Sequence, residues 1–175
     1  MAIARRGRRV ARGRLRTLAG QLLDASTLCA LATVSPRGRA HVNTAYFAWS
    51  PRLDLVWLSH PRAMHSVNVR TRRTLAVAVY DSHQTWGNPD RGIQLMGTAQ
   101  EVLDRAADDA EKVYVARFPE YRGSDSAGYR FYRFRPHRLK LFDERELGAG
   151  VFVTARVSRG EVSWDRTEIY PAGGC

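Results

Sequence analysis

Arg62 and His65 stand three residues apart in Ser59-His-Pro-Arg-Ala-Met-His65, and Pro61 suits the first turn of a helix, where its missing N–H costs nothing. That spacing predicts a guanidinium and an imidazole on nearly one face of a helix start. Unpaired backbone N–H groups and the positive end of the helix dipole would lie beside them, a constellation able to hold a phosphate. Read from local features alone, two solvated side chains on a short surface helix explain the same string.

Other chemistry-bearing sets fail on spacing. The chain has no glycine-rich nucleotide motif and no paired-cysteine zinc spacing, and His60 and His65 are five apart without a third ligand. No metal site is therefore expected. Ser59 with His60 or His83 and Asp81 lacks the nucleophile elbow of a hydrolase. Arg130, Arg133 and Arg135 alternate with Tyr129, Phe131, Tyr132 and Phe134, either as a nucleic-acid stacking face or as a strand with its aromatics inward. Trp86 lies in the polar loop 81–91, long enough to suggest function, where it could cover a ring ligand, plug a core edge or make a dimer contact.

The elements that must position these residues follow from periodicity. Leu15, Leu18, Leu22 and Leu23 predict a helix over about 14–25. Strands are expected at 29–34, 40–49, 54–58, 75–80 and 93–102, with Gly97 marking a bulge in the last. In the second, Val42, Thr44 and Tyr46 face one way and Asn43, Ala45 and Phe47 the other. Ala63, Met64 and Val67 supply the apolar spacing of the short helix after Pro61. A helix over 104–117 ends at Phe118-Pro119. Two closing strands, 129–134 and 139–142, flank Arg135-Pro136, a further strand spans 151–157, and the chain beyond about 158 reads as irregular. Many strands, few helices and no βαβ rhythm predict a mainly β fold, a closed or nearly closed antiparallel barrel.

The 175 residues suit one domain at 14–157, between a disordered arginine-rich tail (1–13) and an irregular extension (158–175). The net charge is +11, and residues 1–16 hold seven arginines and no acid. Such a tail can bind nucleic acid or another acidic surface, can be plain solvated chain, or can come from a start codon placed too early. Cys29 and Cys175 make no disulfide framework, and no apolar run reaches membrane-spanning length. A cytoplasmic protein is expected.

Five strings recur in one order over residues 17–155: Asn43-Thr-Ala-Tyr-Phe47, Ala63-Met-His-Ser-Val-Asn68, Gly92-Ile-Gln-Leu-Met-Gly97, Tyr114-Val-Ala-Arg-Phe-Pro119 and Leu139-Lys-Leu-Phe-Asp-Glu144. In that order they resemble the pyridoxamine 5′-phosphate oxidase-like, FMN-binding split-barrel superfamily, nearest to its small YhbP-type proteins. The resemblance implies a six-stranded split β-barrel and a homodimer with flavin mononucleotide (FMN), or in related branches F420 or haem, at the subunit interface. It implies that the turn from Leu58 and Ser59 through Arg62 and Met64 to His65 holds the phosphate. His65 stands where many members carry lysine and Met64 where they often carry arginine, with Arg62 close enough to compensate. His41, Val42, Asn43 and Thr44 would lie along the isoalloxazine edge and Gln94 on a neighbouring strand, while Trp86 and Arg91 would reach the site from the partner subunit. In such proteins the ring carries the electrons, so no catalytic side chain is assigned. Substrate arginines for vitamin B6 oxidation cannot be placed here. The expected function is a flavin-dependent oxidoreductase acting on a small molecule, with NAD(P)H as a possible donor. A non-catalytic flavin, F420 or haem carrier on the same fold is the alternative, and a nucleic-acid-associated protein working through the tail is a third reading that the absence of any nucleic-acid motif disfavours.

Overall fold

Alternation of exposed and buried residues builds the strands of the computed structural model, which describes residues 5–123 and 128–170. In chain order the elements are β1 (Arg5–Arg6), α1 (Arg12–Asp24), β2 (Leu28–Val34), β3 (Ala40–Trp49), β4 (Leu55–Ser59) and α2 (Met64–Thr71). Then follow β5 (Thr74–Tyr80), β6 (Arg91–Glu101), α3 (Arg105–Arg117), β7 (Arg130–Asp143), α4 (Glu144–Leu147), β8 (Val151–Ser158) and β9 (Glu161–Ile169). The strand order is β1-β9-β8-β7-β4-β3-β2-β5-β6, and a further β6–β7 pairing closes the six strands from β7 to β6 into a barrel. The β2–β3, β3–β4 and β4–β7 pairs are antiparallel. The expected mainly β, six-stranded split barrel is thus present.

By internal contacts the chain forms two compact units, one of residues 1–26, 78–95 and 137–175, the other of 27–77 and 96–136. In the first, Leu15, Leu18, Ala19, Leu22 and Leu23 of α1 are buried, and the helix packs against β9. In the second, Tyr114 and Ala110 of α3 meet Ala48, Val56 and Phe131 in one apolar cluster. Trp57 stacks on Tyr132 at 5.6 Å, and the Arg117 guanidinium lies 4.6 Å from the Phe47 ring centre. Cys29 is buried there, which pushes its thiol up to about 12. Cys175 lies outside the described residues.

Three segments differ from expectation. The two closing strands are one, β7, running through Pro136. Proline removes a ladder donor, but Arg130–Phe134 pair with β4 and Arg138–Phe142 with β8, so Pro136 falls between those two ladders. Beyond 158 the chain is not irregular: Arg159 and Gly160, with φ of 52° and 84°, turn it back into β9. This two-residue hairpin requires positive φ at both positions, and an Arg-Gly pair advertises it less clearly than Asn-Gly. The expected disordered tail holds β1, paired with β9, and the start of α1. Its residues 1–4 lie outside the described residues. The aromatics Phe131, Tyr132 and Phe134 of β7 are buried, which leaves them as core and not as a stacking face for bases.

Candidate functional site

The turn between β4 and α2 belongs to the unit 27–77 and 96–136. β4 delivers Ser59 to its end. The Ala63 N–H then donates to the His60 carbonyl at 3.0 Å and the Arg62 N–H to His60 Nδ1 at 3.1 Å, which closes a tight turn around Pro61. The helix therefore starts at Met64 and not at Pro61, with Ala63 as its cap residue and no side chain closing the cap. Arg62 and Met64 are exposed, and Arg70 donates to the Pro61 carbonyl from the last turn of the helix.

Starting the helix three residues later rotates its faces. His65, Ser66, Asn68 and Val69 point inward, while the apolar Met64 is outside. His65 is 6% exposed, and its Nε2 lies 2.7 Å from the Ser59 hydroxyl, which also accepts from Ser66 at 3.1 Å. Burial, and secondarily the nearby His41, hold the His65 pKa below the ordinary 6.5. At neutral pH it is an uncharged hydrogen-bonding partner. Arg62 and His65 are therefore not a pair of cations on one exposed face. Arg62 supplies the side-chain charge of the turn, backed by the uncapped N–H groups of α2.

β3 sets the second part of the site. His41 pairs with Thr33, Asn43 with Leu31 and Thr44 with Ala30. The Thr33 hydroxyl donates to the His41 carbonyl at 3.4 Å and accepts from Asn68 at 3.0 Å, linking β2, β3 and α2 through side chains. Asn43 donates to the Thr44 carbonyl at 2.8 Å. Val42, 65% exposed, lies on the outer face with Thr44, Tyr46 and the β2 residues Leu28 and Ala32, an apolar surface turned to solvent. The alternation expected along this strand is present.

Gln94, Arg91 and Trp86 belong to the other unit. Gln94 is exposed on β6 and Trp86 is 100% exposed at its loop tip. The loop is braced from within: Asp81 accepts from the His83 N–H at 2.9 Å, and Gln84 accepts from the Arg91 N–H at 2.7 Å. Arg91 is also committed by its side chain, which lies 3.2 Å from the carboxylate of Asp143, itself 1% exposed. The second Asp143 oxygen caps α4 through Arg145 and Glu146.

Sequence reasoning missed the buried polar cluster of Thr33, Ser66, Asn68, Tyr132 and Glu101. Tyr132 donates to Glu101 at 3.3 Å, and Arg70 lies 3.5 Å from the same carboxylate. Its signal is present in His65-Ser-Val-Asn68, where polar residues recur at helical spacing beside the apolar Ala63, Met64 and Val67. Asn68 Oδ1 and Trp57 Nε1 are buried without a hydrogen-bond partner, so this cluster is not closed by protein groups alone.

The family model for pyridoxamine 5′-phosphate oxidase matches residues 18–143. The chain belongs to this family. No curated protein matches it. Among solved structures it is similar to a heme-binding protein from Mycobacterium smegmatis, at 16% identity, TM-score 0.66, 88% of this chain and 61% of that one. It is similar to a Clostridium acetobutylicum protein related to general stress protein 26 of the pyridoxinephosphate oxidase family, at 13% identity, TM-score 0.60, covering 82% and 95%. An F420 reductase shares 23% identity, TM-score 0.53, covering 68% and 93%. These likenesses concern the fold. Two of these neighbours are named for different ring cofactors, heme and F420. The donors at the β4–α2 turn fit a phosphate through Arg62 and backbone N–H groups, one cation fewer than the sequence promised. Among the described residues no helix is long and apolar enough to cross a membrane, and no cluster of histidine, cysteine and carboxylate could hold a metal ion.

Proposed function

We propose that the protein is a homodimeric, FMN-dependent oxidoreductase of a small molecule, with the cofactor between subunits. The observation that carries this reading is the exposed Arg62 at the uncapped start of α2, inside a match to the family model that spans the barrel. FMN would supply the electron-accepting ring. Arg62 and the first N–H groups of α2 would bind its phosphate, and the β3 backbone at His41–Thr44 would orient the ring edge. Trp86 and Gln94 are exposed and available to a cofactor or a partner subunit, whereas Arg91 would have to share its guanidinium with Asp143. His65 has a different part from the one its sequence position suggests. It holds Ser59 at the end of β4 and thereby sets the turn that presents Arg62.

Purified protein should be yellow or become so with FMN, and NADH or NADPH should reduce the bound flavin. Failure to bind FMN at micromolar concentration ends the reading. Arg62→Ala should weaken FMN by about 1.5–3 kcal/mol, the range of a hydrogen bond to a charged group, read by fluorescence quenching. A second reading, a carrier of F420 or haem on the same fold, is supported by the neighbours named for those two cofactors. Absorption spectra of the protein titrated with each cofactor separate the two.

A further inference from the structure

Cross-strand partners share a sheet face, and the registers of β7, β8, β9 and β1 align an unusual one. Phe142 faces Phe152, which faces Glu168, which faces Arg6. The next row is Lys140, Thr154 and Arg166, and the next places Arg138 directly opposite Arg156. Asp165 falls in the register shift between Thr154 and Ala155, and its carboxylate lies 3.2 Å from both Arg156 and Arg166. Glu168 lies 3.4 Å from Arg166 and 3.7 Å from Lys140. Two carboxylates thus pair with three of the five cations on these rows. Like charges placed opposite one another weaken a sheet; Asp165 offsets Arg156, and no ion pair among the described residues offsets Arg138.

The arginine-rich segment adds Arg6 to this face and then crosses the edge of β9, where Arg8 and Arg9 lie beside Thr167 and Ile169. It does not leave the sheet after β1: the Gly7 N–H donates to the Thr167 carbonyl at 3.0 Å, and the Thr167 hydroxyl donates to the Arg8 carbonyl at 2.8 Å. Gly7 allows this close approach, since a Cβ there would meet Thr167 Cγ2 at 2.6 Å. Further along, arginines hold structure. Arg12 pairs with Glu161, Arg14 with Glu146, and Arg16 donates to the Gly160 carbonyl. Arg6, Arg8 and Arg9 are exposed, and no ion pair among the described residues engages them. Arg6 and Arg166 line a hollow of about 570 Å³ along β9, and Arg8 and Arg9 line another of about 530 Å³.

We propose that this face and the seated segment bind the sugar–phosphate backbone of a nucleic acid. Arg6 and Arg8 present exposed guanidiniums from backbone held against β9, and a guanidinium is a bidentate phosphate ligand. Lys140 Nζ, 4.7 and 5.9 Å from the ring centres of Phe152 and Tyr170, adds a further cation at the margin. Among the described residues the segment exposes no large apolar side chain to enter a bilayer, which favours nucleic acid over an anionic membrane. Contacts of this kind carry no base-sequence information.

The test is fluorescence anisotropy of full-length protein with a labelled 20-nucleotide single-stranded DNA, the matching RNA and the duplex, over a range of salt. Arg6→Gln, Arg8→Gln and Arg9→Gln together should weaken binding about tenfold or more, and lower the slope of log K against log salt by about 2–3. Arg138→Gln with Arg156→Gln should weaken it as well. Arg37→Gln, Arg39→Gln and Arg52→Gln, which remove the same charge from exposed turns elsewhere, should leave it nearly unchanged. The proposal is overturned by equal losses in the two triple variants, which would reduce the effect to net charge. It is also overturned by no micromolar binding at low salt, or by binding to phosphatidylserine vesicles but to no oligonucleotide.

Discussion

His65 sits against the Ser59 hydroxyl, and its buried ring resists protonation because desolvation disfavours the charged form. The folded pKa is lower than the unfolded one, so the unfolded state takes up the proton first as pH falls. Stability is therefore complete above the ordinary value of 6.5 and is lost as pH drops below that value and through the folded-state pKa. Urea unfolding at pH 8 and at pH 5.5 should show this loss in the native protein. His65→Gln, which can still meet Ser59 but does not titrate, should show a smaller one, and an equal pH slope in both would refute the assignment. At this scale the residue types in Ser59–Asn68 are legible in the sequence, but whether each side chain faced water or Ser59 depended on where the helix began. Pro61 pointed to one start. The His60 carbonyl, accepting from Ala63, imposed another.

Barrel closure is decided between elements. β6 approaches β7 so tightly at Gly97 that a Cβ would lie 2.2 Å from the Arg135 carbonyl oxygen and 2.7 Å from Phe134 Cζ. The first contact is backbone and cannot swing aside. Gly97→Ala should destabilise the protein by about 3 kcal/mol or more, the upper part of the range for overpacking, measured by chemical denaturation. A variant as stable as the native chain would mean that the two strands can separate at little cost. The sequence expectation of a bulge at Gly97 noticed the right residue for a different reason. What the glycine provides is room for a neighbouring backbone, which no pattern local to β6 contains. Pro136 teaches the same lesson, since it breaks a strand only where that strand needs a ladder donor.

At the scale of the whole molecule, the outward face of β2 and β3 leaves Leu28, Val42 and Tyr46 in solvent. Under the homodimer proposal this face meets its copy. Val42→Arg should then give a monomer by light scattering after size exclusion, and FMN affinity should fall with it. A variant that stays dimeric would place the interface elsewhere. The distribution of charge is equally a property of the whole. Seven arginines in a row of sixteen residues read as a loose tail, yet three of them hold elements together through Glu161, Glu146 and Gly160, and the backbone of Arg6 and Arg8 is held against β9.

The sequence by itself determined the class of fold, most strand and helix positions, the inward and outward faces of β3, and the turn that carries Arg62. These depend on periodicities of two and 3.6 residues and on turn chemistry, all local along the chain. Only the tertiary structure decided that His65 is a buried neutral partner of Ser59, that β7 runs unbroken through Pro136, that β9 exists, and that the arginine-rich segment is seated on it. Each of these depends on a partner far away in sequence, Thr167 for Gly7 and Arg8, β4 and β8 for Pro136, or on burial that only the assembled barrel creates. An anion-binding residue type can be read from the chain, but its exposure and charge state belong to the fold.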